Sequence, residues 1–385
     1  MVIDSEKMKS LAEATSREDV VGRSLWADAR RRFFRNKAAI FGLILLVFVS
    51  ILLALVVVAL GAYTRLTHAG LGCPDWPGCY GKITVPSDAQ AVNQANLQFP
   101  ERALEANKAW IEMIHRYFAG ALGLLIFVVV AWCIKKNITP VGLPLFISAT
   151  VIFQALLGMW TVTLKLMPVV VMAHLMGGFT LLSLLCLLYC RLSQFQSRFG
   201  EVAYSSPLKI SALFGLLIVV GQILLGGWTS SNYAALVCTQ LPICEGNWMS
   251  YLDFKNAFDF AQHGHDNYEF GVLEYPARLT IHVMHRFGAI VATLTVLMIV
   301  FQLWKFGQAP HQKLSVIVAI VLFTQIGLGI SNVWFHLPIS VAVLHNLVAA
   351  MLLICMVVTN FVVWQRKPSE SLVKNSVLQG GNHGQ

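Results

Sequence analysis

Charge is scarce in this 385-residue sequence: Asp, Glu, Lys and Arg together make up 12%, against about a quarter in soluble domains. Hydrophobic residues reach 57% and mean hydropathy is +0.67. A chain so poor in charge cannot cover its own surface in water. The two or three soluble domains that its length would suggest are therefore excluded. Disorder and coiled coil both need far more charge and are excluded with them. The 8 cysteines are too sparse for a disulfide mini-scaffold. What remains is an integral membrane protein. Acids are the scarcer sign, 19 against 28 bases, and the resulting +9 could signal an acidic partner. That excess needs testing against membrane topology first.

Eight apolar stretches are long enough to cross a hydrocarbon core of ~30 Å as helices: roughly 39–60, 116–134, 141–164, 169–190, 208–228, 283–304, 314–334 and 339–364. The runs are continuous rather than alternating, which argues against a membrane β-barrel. Arg30, Arg31, Arg32, Arg35 and Lys37 precede the first stretch, which reads as a retained helix with an inside anchor rather than a signal peptide. With the N-terminus inside, the inner segments carry 19 Lys and Arg and the outer segments 7. The basic excess belongs to topology, and nucleic acid is set aside as a partner. Membrane lipid is the surrounding partner. A multi-pass protein of a bacterial inner membrane, with both termini cytoplasmic, is expected.

The chain repeats itself. Ile114-His115-Arg116 resembles Met284-His285-Arg286 at an offset of 170, and Gln154…Gly158 resembles Gln325…Gly329 at 171. Cys73 and Cys79 match Cys238 and Cys244 at 165, and His174 matches His345 at 171. The second unit opens near Gln222-Ile223-Leu224-Leu225-Gly226-Gly227-Trp228-Thr229. Four helices per unit make a parallel repeat about an axis along the membrane normal. The expected architecture is all-α: a cytoplasmic tail 1–38, a four-helix bundle 39–190 with outer loop 61–112, a linker 191–209, a second bundle 210–364 with outer loop 229–281, and a tail 365–385.

Of 11 histidines, His263, His265, His311 and His383 fall in polar loops or the tail and read as solvated surface. His115 and His285 open the second and sixth helices, while His174 and His345 lie near the starts of the fourth and eighth. Each half thus carries two histidines at matching depth, on alternate helices. Two imidazoles facing across a bundle are what six-coordinate heme iron takes. A single histidine near a helix end is ordinarily an interfacial residue. Two repeat-related pairs of costly polar groups favour a cofactor. Zinc or copper is less apt, because no Cys or carboxylate completes a tetrahedral set at that depth. Arg116 and Arg286 follow the first histidine of each half. They read as partners of heme propionates or as snorkelling anchors.

The repeat breaks at one position. Glu112 stands three residues before His115, where His282 stands before His285. Positions three apart share a helix face. From spacing alone, Glu112 is either a carboxylate working beside the cofactor or an ordinary acid at a helix N-terminus. The two C-x5-C pairs lie in outer loops facing an oxidising compartment and point to disulfides, with free thiols or a metal site as the alternative. Cys133, Cys186, Cys190 and Cys355 read as packing residues.

These residues resemble the heme A synthases of aerobic respiratory organisms. The likeness runs from about 38 to 364. It rests on Gly61-Ala62-Tyr63-Thr64-Arg65-Leu66-Thr67, on Gly70-Leu71-Gly72-Cys73-Pro74-Asp75-Trp76-Pro77, on Glu112-Met113-Ile114-His115-Arg116, on His285-Arg286, and on His174 and His345. The resemblance implies oxidation of a heme O ring methyl to a formyl by successive hydroxylations, giving heme A for cytochrome oxidase. It implies heme b at His285 and His345, substrate heme O at His115 and His174, a catalytic Glu112, and a functional pair in Cys73 and Cys79. The farnesyl-transferring heme O synthase is the natural supplier of substrate. The rival readings are a two-heme electron carrier and a heme transporter or chaperone. The sequence leaves the electron donor, the oxygen source and any homo-oligomer unassigned.

Overall fold

The computed structural model describes residues 37–199, 204–242 and 244–364. The expectations for the basic run at 30–35 and for most of both tails, with His383, lie outside the described residues. The chain divides into two units, Met1–Leu45 and Leu46–Gln385. Only the start of the first helix is described in the former, and the candidate site lies wholly in the latter.

Among the described residues, regular structure is helical: α1 (Lys37–Leu66), α2 (Ala89–Gln98), α3 (Ala106–Lys136), α4 (Gly142–Thr163), α5 (Pro168–Leu192), α6 (Ser206–Ser231), α7 (Phe254–Ala257), α8 (Tyr275–Phe306), α9 (Ala309–Trp334) and α10 (Ile339–Val363). The nearest approach to a strand is the single bridge between Cys79 and Lys82. All but α2 and α7 are long and apolar enough to cross a membrane, which makes eight spans. A helix closes its own backbone hydrogen bonds, so these runs can sit in lipid without orphaned polar groups. Their ends follow ordinary signals. Proline occupies the first turn of α5, α6, α8 and α9, where its missing N–H costs nothing. Asn137 closes α3 in the left-handed region at φ 51°.

Two boundaries differ from expectation. α3 and α8 begin at Ala106 and Tyr275, well before the apolar runs. His115 and His285 therefore lie two to three turns inside their helices instead of opening them. Hydropathy marks only the apolar part of a helix, whereas these helices begin earlier because their first turns are packed under the loops. Ala109 and Met113 are buried against Cys73, Cys79, Tyr80 and Val85. Ala277 and Ile281 are buried against Trp228, Ala234 and Ala257. A third correction concerns His311, expected as solvated surface. It is fully buried at the start of α9, under Phe199 and against the Tyr204 hydroxyl. A short polar stretch beside two apolar helices can fold onto them, and its sequence does not say so.

Helices α6, α8, α9 and α10 close a ring, each packing on the next and α10 returning to α6. In the first half α3 packs on α4 and α4 on α5, and α5 also meets α6 and α10. The backbone repeats at the offsets of the sequence. Left-handed non-glycine residues recur as His68 and Tyr233, Lys165 and His336, and Leu166 and Leu337. Loops of the two halves touch each other. Arg102 grips Glu269 with two bonds of 2.6 and 3.1 Å, and the Tyr268 N–H donates to the Lys165 carbonyl at 3.1 Å.

Candidate functional site

Each of the four singled-out histidines lies against a glycine of a neighbouring helix. A Cβ built on Gly61 would stand 3.0 Å from His115 Cε1; for Gly158 and His174 the value is 3.3 Å, for Gly226 and His285 3.1 Å, and for Gly329 and His345 3.2 Å. Any side chain there would crowd the ring, so the glycines form a cradle for it. Three of the four glycines have a glutamine one turn earlier that binds the same histidine. Gln154 Nε2 donates to the His174 carbonyl at 2.6 Å, Gln222 Nε2 to the His285 carbonyl at 3.0 Å, and Gln325 Nε2 lies 3.3 Å from His345 Nε2. The recurring Gln-x-x-x-Gly was visible in the sequence as part of the repeat. Its role was not, because it depends on which helix stands beside which.

His174 lies within electrostatic reach of His115, and His285 of His345, which groups the four rings as two pairs. The Nδ1 atoms of His115, His174 and His345 are buried without a hydrogen-bond partner. An imidazole nitrogen that no hydrogen bond engages could serve as a metal ligand in its unprotonated form. Among the described residues no three His, Cys, Asp or Glu side chains converge on one point. The donor sets are pairs, and a pair suits a planar macrocycle that supplies the other four ligands itself.

The two pairs differ at the long-loop end. In the first half Glu112 is buried. Its Oε2 accepts the Cys73 N–H at 2.9 Å and its Oε1 pairs with Arg116. Arg116 also donates to the carbonyls of Asp75 and Pro77, at 2.9 and 3.3 Å, and to that of Gly78. Cys73 and Cys79 are bonded, with their Cα atoms 4.8 Å apart. The Asp75 carboxylate tightens the same loop by accepting the Tyr80 and Gly81 N–H groups at 2.7 and 2.8 Å. In the second half His282 is buried, and its Nδ1 donates to the Ala234 carbonyl at 2.8 Å. Arg286 donates to the Cys238 and Gln240 carbonyls, both at 2.7 Å, beside the bonded Cys238 and Cys244. Among the described residues no carboxylate pairs with Arg286. The loop end of the first site therefore holds a compensated ion pair, and that of the second an uncompensated cation.

The model of the cytochrome oxidase assembly protein family, COX15-CtaA, matches residues 44–357. The chain belongs to this family. The matched stretch contains all four cradled histidines, both disulfide loops and Glu112. A heme A synthase of Shewanella oneidensis is 49% identical over 325 residues, covering 84% of this chain and 98% of the relative. Heme A synthases of Bartonella tribocorum and Shouchella clausii are each 24% identical, covering 79% of this chain and 87% and 92% of their own lengths.

Proposed function

We propose that this chain is a heme A synthase, an oxidoreductase that turns a methyl group of heme O into the formyl group of heme A. The observation that carries the reading is Glu112. It is a buried carboxylate beneath a disulfide loop, three residues before His115 on the same helix, where His282 stands before His285. Two halves built alike but differing at this position suit one site for chemistry and one for a resident cofactor.

His115 and His174 are read as the ligands of the substrate heme O, and His285 and His345 as those of a heme b. The orphaned nitrogens and the glycine cradles support that fit. A bound heme b supplies a one-electron centre. The protein's own work is more specific. Gly158 and Gly329, with Gln154 and Gln325, fix where the His174 and His345 rings stand. Glu112, holding two donors, would be the acceptor beside bound heme O, where it could take a proton or stabilise positive charge. Arg116 and Arg286, each next to the first histidine of its half, are read as partners for heme propionates. Arg286, with no carboxylate partner among the described residues, is the better placed to bind a dianionic heme edge permanently. Arg116 is already committed to Glu112 and the first loop.

The long loops are read as lying outside a bacterial inner membrane, with both termini cytoplasmic and the two halves related by a parallel two-fold axis. His68 and Tyr233 support that axis. They stand at equivalent positions and stack on each other, with ring centroids 5.7 Å apart. Equivalent residues meet only beside a two-fold axis. Heme O synthase is the proposed supplier of substrate.

The test is chromatography of hemes extracted from membranes making both heme O and this protein. A formylated heme is expected, and its loss in Glu112→Ala. Unmodified heme O with the wild type refutes the enzyme. Matched histidine pairs favour a two-heme electron carrier as the second reading, and heme b as the sole extracted pigment would support it.

A further inference from the structure

We propose that Arg65 is a positioning residue that couples the two histidine pairs, so that occupancy of one site changes affinity at the other. The inference rests on the reading of those pairs as heme sites.

The C-terminal ends of α1 and α6 are equivalent elements, and each carries the glycine that cradles one histidine. Gly61 on α1 lies against His115, and Gly226 on α6 lies against His285. One turn beyond Gly61 is Arg65, and one turn beyond Gly226 is Ser230. Arg65 reaches across the halves to that serine: its Nη2 donates to the Ser230 carbonyl at 2.8 Å and to the Ser231 carbonyl at 3.2 Å. Its Nη1 donates to the Tyr233 hydroxyl, and its guanidinium lies 4.0 Å from the centroid of the same ring. The path from His115 to His285 is thus one glycine contact, one turn of α1, one guanidinium, one turn of α6 and a second glycine contact.

The chemistry suits a fixed joint. The last carbonyls of a helix have no intrahelical partner and carry the negative end of its dipole. Ser230 and Ser231 end α6, and a planar guanidinium can bind two such carbonyls while stacking on an aromatic face. Among the described residues no carboxylate pairs with Arg65, so the α6 terminus is what holds its charge. The joint runs one way only, because the equivalent of Arg65 in the second half is Ser230 itself. Around it, His68 stacks on Tyr233 and packs against Phe270 at 5.2 Å. Burial, then the adjacent Arg65 charge, hold the His68 imidazole below its ordinary pKa. His68 therefore stays neutral and adds no repulsion at the joint.

A rigid link makes the two cradles move together. Seating a ring at His285 sets Gly226, then Arg65 and Gly61, and so the rest position of His115. Coupling of this kind is measured as a ratio of affinities and is reciprocal. The experiment is optical titration of the purified full chain with heme O, in four forms: wild type, His285→Ala, Arg65→Gln and the double variant. Emptying the second site should weaken heme O binding about tenfold where Arg65 is intact and less than about twofold in the Arg65→Gln background, typical coupling being about 5- to 150-fold. Arg65→Lys, which keeps the charge without the fork, should recover part of the ratio. Tyr233→Phe, a milder change that removes only the hydroxyl, should reduce it part-way and serves if Arg65→Gln does not fold. An equal effect of His285→Ala in both backgrounds, or none in either, overturns the coupling. Heme b retained in His285→Ala, or a wild type that binds no heme O, refutes the site assignment instead, so the two failures are distinct.

Discussion

The backbone N–H of Cys73 donates to the Glu112 carboxylate at 2.9 Å, so the disulfide-closed loop and the buried acid form one unit. Cys73 and Cys79 are both fully buried, and the bond between them keeps that N–H aimed at the carboxylate. Opening it with Cys79→Ser should leave the eight spans in place while the loop relaxes. Conversion of heme O is expected to fall about tenfold, equivalent to about 1.4 kcal/mol of lost positioning, with heme b content unchanged. The matched Cys244→Ser frees a loop held by Arg286, not by a carboxylate, so it should reduce retained heme b instead. Measuring product and bound heme in both variants decides this. If the two lesions had the same effect, the division of labour between the halves would be wrong.

Charge and geometry at Glu112 can be separated. Glutamine at this position can still accept the Cys73 N–H, but it brings no charge to Arg116. Glu112→Gln should therefore keep wild-type heme b content and lose about 10²–10⁴ in turnover, the usual worth of a positioned proton-transfer group. Single-turnover conversion of preloaded heme O checks it. A glutamine variant at wild-type rate would make Glu112 a purely structural anchor for the loop.

The cradles predict a contrast along one helix. Gly329 and Gly327 both lie in α9. A Cβ on Gly329 would stand 3.2 Å from His345, whereas one on Gly327 meets nothing within 4 Å. Gly327→Ala should be neutral or slightly stabilising, by up to about 1 kcal/mol. Gly329→Ala must push the His345 ring by a few tenths of an ångström and should alter the absorption bands of bound heme b. Identical spectra for the two variants would remove the cradle from the argument.

The glycines also mark how far the sequence could be read. The eight spans were legible because long, continuous apolar runs leave little else than a membrane helix. The four histidines were legible because they recur at fixed offsets. The cradles, the Arg65 joint and the docking of Arg116 and Arg286 on loop carbonyls were not, since each depends on which backbone faces which side chain. Gly61 and His115 lie far apart in the chain, and neither hydropathy nor spacing brings them together. The early starts of α3 and α8 were missed for a related reason. Residues such as Asn107 and Lys108 are polar enough to read as loop, yet Ala109 and Met113 just after them are buried under the disulfide.

The contact between the long loops should be acid-sensitive through Glu269. Burial alone would push its carboxyl upward in pKa, but the paired bonds and charge of Arg102 outweigh burial and hold it below the ordinary carboxylate range. Where the folded pKa lies below the unfolded one, the stabilisation is complete above the unfolded value, about 4.3 for Glu. It is then lost as pH falls toward the folded value, because the unfolded chain takes up its proton first. Loop docking, followed by limited proteolysis of the loops, should therefore be flat from neutral pH to about 5 and weaken below about 4.3. The side chain of Glu269 is 6% exposed and that of Arg102 24%, so the pair is shielded from solvent. Glu269→Gln should cost about 1–3 kcal/mol at neutral pH and flatten the acid limb of the profile. Glu101, 87% exposed and 3.8 Å from Lys165, is the control, since exposed pairs contribute about 0–1 kcal/mol. Glu101→Gln should leave the profile unchanged. An acid limb that persisted in Glu269→Gln would place the sensitive carboxylate elsewhere, and the Arg102 pair would then be holding the loops together without reporting on pH.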